Sequence, residues 1–511
     1  MANIKGGKYL INLLINFLGV NMNIITEKNE YYYDKTTGLI LPQSNIIKNI
    51  LKIKNWNEKK ENEIIILLEN KYDRKKISFY YKWLIKYFNF RANIIRKNVS
   101  ENNNNTPSLN KFNIEQHILK EGLSQLILSV TEDCNFRCKY CTFSEEFNNN
   151  RNHSLKYMDF ETSKKAINIY LKYIKKGIKY NIFRVPVFCF YGGEPLLNFD
   201  LIKKSVDYIK SIYDYEVKFN ITTNGFLLDK KISDWLINNE FLITVSLDGD
   251  QKEHNRKRIT QTGETTFNKV FSNVKYILDK KYEKIYVSPV FDYKTHFLNC
   301  HEFFKKKLIK VISLSEVDTQ YTKKYYNQFN KLDYNTYEKR IIKLLNEYDT
   351  NNDNNSYLYH LIEEPIIKWI FESNILSFSR NFVKFTGSCV PSDKIFVSVE
   401  GEFYTCERVP PTDISNIGNV NNGLNFNKII KIIDKFNKKL DKCSTCDMSN
   451  FCQKCYKQFI DDIDFKPATD ICQNIENEIS FFSNALQFME IHQSNLEKKH
   501  IRYEKLYNWR D

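Results

Sequence analysis

Cys134, Cys138 and Cys141 follow one another in a C-x₃-C-x₂-C spacing, with polar Asn135, Arg137 and Lys139 between them. Four cysteines normally hold a four-iron cluster, so three thiolates from one loop would leave one iron free for another ligand. A four-cysteine zinc site is the second chemistry such a triplet could serve, although zinc usually takes paired C-x₂-C knuckles. A third reading, unrelated buried cysteines, sits poorly with the polar residues between them. The apolar stretch from Gln125 to Val130 just before the triplet has the pattern of a strand, which puts the loop at a strand's C-terminal end.

Seven of the twelve cysteines crowd into 389–472. They are Cys389, Cys406, Cys443, Cys446, Cys452, Cys455 and Cys472, with Gly401 between the first two. A zinc ribbon could use Cys443, Cys446, Cys452 and Cys455, but it leaves Cys389, Gly401, Cys406 and Cys472 unexplained. Cys189 falls in a strand pattern and Cys300 in a helical one, so both read as plain buried hydrophobes.

Three turns at predicted strand ends add polar chemistry. Gly192 and Gly193 permit close backbone approach, and the carboxylate of Glu194 beside them could accept from an ammonium group. Thr222, Thr223, Asn224 and Gly225 close the next strand. Ser246, Leu247, Asp248 and Gly249 close the one after, leading on to His254 and Arg258. For Asn224 and Asp248, ordinary turn chemistry before glycine is the competing explanation. His254 reads as a residue that orders its loop.

The triplet, the Gly-Gly-Glu-Pro turn one unit later and the Ser-x-Asp turn together resemble the radical SAM enzymes. The resemblance implies that the open iron binds S-adenosylmethionine and that a 5′-deoxyadenosyl radical abstracts hydrogen from substrate. It implies roles around that cofactor for Glu194 at the amino group, with Gly192 and Gly193 as backbone. Asn224 joins them in the pocket, Ser246 and Asp248 would meet the ribose, Arg258 the carboxylate, and Tyr140 the adenine. The later cysteine array resembles the SPASM extension of peptide-modifying members, which holds two auxiliary [4Fe-4S] clusters, making three in all. On that pattern Cys443, Cys446, Cys452 and Cys472 close one cluster, while Cys389, Cys406 and Cys455 hold the other with three thiolates. Its fourth position is open, or taken by a substrate thiolate or by a distant residue such as Cys300. The last cysteine pair is spaced C-x₂-C where the family usually has three residues between.

These motifs need a scaffold, and the chain supplies one. Strand patterns at 125–131, 183–191, 216–223, 241–247, 284–291 and 309–316 alternate with amphipathic helical patterns, which implies a parallel sheet with right-handed crossovers. Six such units resemble the partial (β/α)₆ TIM-like barrel of the family, an α/β fold, and strand C-termini are where barrels place their sites. The expected organisation is a small α+β, winged-helix-like unit at 1–105, the core at 106–330, a helical connector at 331–385, the SPASM region at 386–475 and a helical tail at 476–511. Glu101 to Ser108, rich in asparagine, reads as a linker.

At 511 residues and a net charge of +15, the chain is long enough for several domains. Its Lys, Asn and Ile are spread throughout, with no basic stripe or nucleic-acid motif, so no nucleic-acid partner is expected. Twelve cysteines in a large chain without a clear export signal point to a reducing cytoplasm. Tyr9 to Val20 is apolar but too short to span a membrane, and Met22 is an alternative start. The resemblance implies a precursor peptide with a leader as substrate, thioether crosslinking at its cysteines as the reaction, and a flavodoxin- or ferredoxin-type protein as reductant. The first unit would bind the leader by strand addition, or serve as a structural cap. An anaerobic sulfatase maturase is the alternative enzyme; those carry an Asp base where this chain has Glu407. A non-catalytic Fe–S scaffold is the alternative outside enzymes, and it has no use for Glu194, Ser246 and Asp248.

Overall fold

The computed structural model describes residues 22–26, 29–34, 39–42, 44–104, 108–143, 152–318, 323–350, 353–371, 382–383, 389–440, 443, 446, 448–449, 452, 454–460, 464–472 and 483–492. The apolar segment Tyr9–Val20, the turn at Thr37–Gly38 and the ends of the C-terminal tail lie outside them.

Strands β1 (Met22–Ile25), β2 (Glu30–Asp34) and β3 (Leu39–Pro42) form an antiparallel sheet in that order. Strand β1 thus lies on the side of β2 opposite β3. Helices Asn45–Leu51, Glu61–Leu68 and Arg74–Asn104 follow. They bury Ile46, Ile50, Trp56, Ile64, Ile77 and Leu84 in a cluster separate from the main core. The third helix runs on to Asn104, so the first half of the expected linker is helical. Tyr33 of β2 packs into the main core instead. The sheet is tied to the C-terminal helix 483–492, where Glu490 accepts from Thr26 (2.9 Å), Asn29 (2.8 Å) and Tyr31.

The central sheet is built from parallel strands β4 (Gln125–Thr131), β5 (Val187–Gly192), β6 (Lys218–Thr223), β7 (Leu242–Val245) and β8 (Ile285–Val287). Helices Phe160–Gly177, Phe199–Ile212, Lys230–Asn238 and Phe267–Asp279 alternate with them, the arrangement expected of a partial barrel. Each helix buries one stripe. In the first, Ala166, Ile167, Tyr170, Leu171 and Ile174 recur at helical spacing, and Asp159 caps its start by accepting from the Thr162 amide. Leu126, Ile127, Leu128 and Val130 of β4 are buried on both faces, each contributing about 1.5–3 kcal/mol. The sixth unit is much reduced. Strands β9 (Val290–Phe291) and β10 (Ser315–Glu316) pair as a separate two-residue parallel ladder, and Val311 makes one isolated bridge to Val287.

The opposite edge is extended rather than open. Strand β11 (Lys394–Val397) lies parallel beside β4, and β12 (Glu402–Tyr404), β13 (Asn416–Asn419) and β14 (Gly423–Leu424) continue antiparallel, giving a nine-stranded sheet. The cysteine-rich C-terminal region is therefore hydrogen-bonded to the first barrel strand. Helices Lys331–Glu347 and Glu364–Phe371 fall within 331–385, the segment expected to be a helical connector. No described helix is long and apolar enough to cross a membrane.

Candidate functional site

The loop after β4 carries the triplet and is held at both ends. Arg137 donates to the carbonyls of Cys134 (2.7 Å) and Phe136 (2.8 Å), and Gln261 donates to Cys134 (2.6 Å). Backbone bonds from Arg137 to Ile259 and from Lys139 to Lys257 seat the loop along 257–261. Phe136 is buried against Phe226. Cys134, Cys138 and Cys141 line one cavity of about 310 Å³, together with Tyr140, Gly192, Gly193, Asn224, Ser246 and Arg258. Burial pushes all three thiols above their ordinary range, so taking up iron as thiolates must release protons. His153, 4.0 Å from the Cys141 sulfur, is held neutral by burial, its pKa lowered to about 4.

The two glycines have a structural reason beyond ligand approach. A Cβ on Gly192, whose φ is +154°, would lie 2.3 Å from the Thr131 carbonyl oxygen, and one on Gly193 would lie 2.2 Å from that of Asp133. The Gly193 and Glu194 amides donate to Thr131 and Asp133, both at 2.8 Å. The end of β5 is thereby pressed onto the backbone that leads into Cys134.

Glu194 is fully buried and faces inward rather than forming the cavity wall. It accepts from the Thr223 hydroxyl (2.6 Å), the Asn224 amide (2.7 Å) and the Leu196 amide (3.1 Å). Burial raises its pKa while those bonds oppose the rise. Asn224 in turn donates to Asn135 (2.7 Å) between the first two cysteines. Asp248 is also buried behind the wall. It accepts from Tyr140 (3.0 Å) and from the Val290 amide (3.1 Å), while Arg258 donates to Tyr140 (2.5 Å). His254 braces this turn between the Asp248 amide and Thr266. The Nε of Arg258 is buried and has no hydrogen-bond partner. Such an orphan costs about 1–3 kcal/mol, and the carboxylate of S-adenosylmethionine would satisfy it.

Sequence reasoning missed what stands behind Asp248. Lys257 is fully buried, 2.8 Å from Glu253 and 3.7 Å from Asp248, and it donates to the Val290 carbonyl. Arg256 bridges Glu253 (2.7 Å) and Asp292 (2.7 Å). Glu253, Arg256 and Lys257 sit three and four apart on one helix, a legible signal; Asp292 had none.

The C-terminal region closes the other side of the cavity with Glu407, Arg408 and Lys457, alongside Glu316 and Asp318. Burial alone would raise the Glu407 carboxyl, but Lys394 and Arg408 outweigh it and hold the group below its ordinary range. Lys394 and the Cys406 thiol both lie 3.3 Å from one carboxylate oxygen. Cys389 hydrogen-bonds Cys455 with Cys406 close by, and these three surround buried Tyr456. Cys443 neighbours Cys446 and Cys472, and Cys452 sits in the same loop, its amide bonded to Ser449. Among the described residues no three Cys, His, Asp and Glu side chains are grouped so as to hold a single metal ion. Cys300 is buried on a barrel helix with its sulfur 3.9 Å from the Asp248 carbonyl, against Gly249. Cys189 lies within β5, donating to Gln125.

Residues 128–296 match the Radical SAM superfamily. The cysteine-type anaerobic sulfatase-maturating enzyme of Clostridium novyi is 25% identical over 232 residues, 44% of this chain and 60% of its own. The radical SAM cyclopropyl synthase TigE of Paramaledivibacter caminithermalis is 27% identical over 180 residues, 34% of this chain and 37% of its own. The chain thus spans less than two thirds of either curated relative. Among solved structures, native anSMEcpe with bound AdoMet and Cp18Cys peptide superposes with a TM-score of 0.55 at 22% identity, covering 74% of this chain and 99% of that one.

Proposed function

From a chain that carries a radical SAM domain over residues 128–296, we propose an enzyme that oxidatively modifies side chains of a peptide, by thioether crosslinking at cysteines of a ribosomally made precursor. The observation that carries this reading is one cavity shared by two cysteine-bearing regions: Cys134, Cys138 and Cys141 on one wall, and Glu407, Arg408 and Lys457 beside Cys406 and Cys455 on the other. A cluster at the triplet and S-adenosylmethionine would together supply a carbon-centred radical that takes a hydrogen atom from substrate.

The chain's own residues then have separable tasks. Tyr140, Arg258, Asn224 and the backbone of Gly192 and Gly193 would hold the cofactor, with Ser246 beside them; Glu194 and Asp248 would fix those groups from behind. Glu407, kept ionised by Lys394 and Arg408, is placed to take a proton from the substrate. Cys389, Cys406 and Cys455 would hold an auxiliary cluster with a place left for a substrate thiolate, and Cys443, Cys446, Cys452 and Cys472 a second one. The relatives named for peptide or sulfatase maturation support a peptide as substrate. The fold of that maturase accounts for 74% of this chain, and the sheet-and-helix unit at 22–104 supports a separate grip on a leader.

Glu407 also favours a second reading, conversion of a cysteine to formylglycine, since it occupies the position of the maturase base. Mass spectrometry separates the two. A Cys-containing precursor, incubated anaerobically with reduced enzyme, should lose only hydrogen if a thioether forms. Exchange of sulfur for oxygen together with loss of two hydrogens, which leaves an aldehyde, would instead establish the maturase reaction.

A further inference from the structure

We propose that a line of tyrosines carries oxidising equivalents out of the cavity to the protein surface when no substrate is present to receive them. The proposal rests on the radical reading above. Tyr140 lines the cavity. Its ring centroid is 6.5 Å from that of Tyr325, Tyr325 is 5.7 Å from Tyr326, Tyr326 is 4.9 Å from Tyr293, and Tyr293 is 5.3 Å from Tyr334. Tyr325 is buried, while Tyr293, Tyr326 and Tyr334 are half-buried, so the line leads from the cavity outward.

Aromatic packing alone explains clustered rings, and a buried hydroxyl needs some partner. It does not explain an unbroken run of oxidisable rings that begins at the cavity. Nor does it explain why the partners are so often carboxylates. Tyr140 donates to Asp248 (3.0 Å), Tyr325 to Asp292 (2.6 Å), and Tyr326 to the Val317 carbonyl (2.9 Å) with Glu316 at 3.3 Å; Tyr334 is hydrogen-bonded to Glu338. A phenol loses its proton when it loses an electron, and a hydrogen-bonded carboxylate is the group that can hold that proton until the electron is replaced.

Tyr140 gives its hydroxyl hydrogen atom to a carbon radical stranded in the cavity, closing a C–H bond. It recovers an electron from Tyr325 and a proton from water. Each later tyrosine parks its proton on its carboxylate partner, Tyr293 on nearby water, and takes it back when the next electron arrives. The last electron comes from a small thiol in solution, which becomes a thiyl radical and releases its proton to water. In sum, one hydrogen atom passes from a thiol to the carbon radical.

Spin trapping tests this. Cluster-loaded, reduced protein is incubated anaerobically with S-adenosylmethionine, without peptide, in the presence of a nitrone trap, and trap adducts are mapped on tryptic peptides and expressed per 5′-deoxyadenosine formed. Adducts are expected on peptide 332–339, which carries Tyr334 and Tyr337. They should fall at least tenfold in Tyr325→Phe and in Tyr293→Phe, which keep the rings but not the phenols, and persist in Tyr180→Phe at the distant surface. Undiminished adducts in both chain variants, or wild-type adducts no denser on 332–339 than on the peptide carrying exposed Tyr180, would overturn the relay. Absence of 5′-deoxyadenosine would overturn the radical reading and the relay with it.

Discussion

Replacing Glu194 by Gln changes one oxygen to an amide nitrogen in a fully buried site. The carboxylate serves three donors: Thr223 and Leu196 on one oxygen, and the Asn224 amide at 2.7 Å on the other. If Gln keeps its carbonyl toward Thr223 and Leu196, its NH₂ faces the Asn224 N–H, donor against donor. If it turns over, the clash moves to Leu196. Either way one charge-assisted bond is lost, about 1.5–3 kcal/mol, with the smaller end favoured because a buried charge is removed as well. Glu194 touches the cavity only through Thr223, Asn224 and the glycines, so the loss should be shared between folding and cofactor binding. The upper limit for S-adenosylmethionine is a weakening of tenfold to about 150-fold, and the unfolding midpoint should fall in the same variant. Equilibrium dialysis and thermal unfolding under anaerobic conditions measure the two. Thr223→Val, which removes the 2.6 Å donor, should weaken the cofactor in the same way. Weaker binding in Glu194→Gln at unchanged stability, with Thr223→Val unaffected, would refute this reasoning and put the carboxylate directly on the cofactor.

Further outcomes follow from neighbouring contacts. Gly193→Ala places a methyl 2.2 Å from the Asp133 carbonyl oxygen, where only backbone can yield, so the triplet should fail to load; iron analysis should find about a third less iron, if the C-terminal array keeps two of the three clusters. Lys257→Met removes the buried cation beside Asp248, while Glu253 keeps Arg256 at 2.7 Å, and should cost up to about 3 kcal/mol of stability, the low end for a buried pair broken on one side, read by denaturant unfolding. Deleting residues 1–104 should spare peptide-independent 5′-deoxyadenosine formation while strongly reducing modification of a full-length precursor, as chromatography and mass spectrometry would show, because leader binding acts by raising local concentration.

The core was legible because its strands and helices each bury a repeating stripe. Patterns at 125–131 and 216–223 met strands Gln125–Thr131 and Lys218–Thr223, and the helical pattern after the first met Phe160–Gly177. Pairing between distant segments left no such mark. The joining of Lys394–Val397 to the first barrel strand depends on backbone bonds across more than half the chain, which periodicity does not register. The pattern at 309–316 reads as a sixth strand from its apolar residues, yet only Ser315 and Glu316 form a ladder there. Glu194 and Asp248 were visible as motif residues, but a motif names a side chain without its direction, and both point inward. Lys257 left a partial mark: its spacing four residues after Glu253 is legible as a helical pair, but that the pair is buried with Asp248, which lies before the helix, is not.

The most direct test of the account is 5′-deoxyadenosine formation by anaerobically reconstituted, reduced protein, compared with a variant in which Cys134, Cys138 and Cys141 are all replaced by Ala. The account predicts about twelve irons and ready product in the native chain. It predicts about eight irons and no product in the variant, because the C-terminal array loads independently of the triplet. Product of equal yield from the variant, or none from a native chain carrying its full iron, would contradict it.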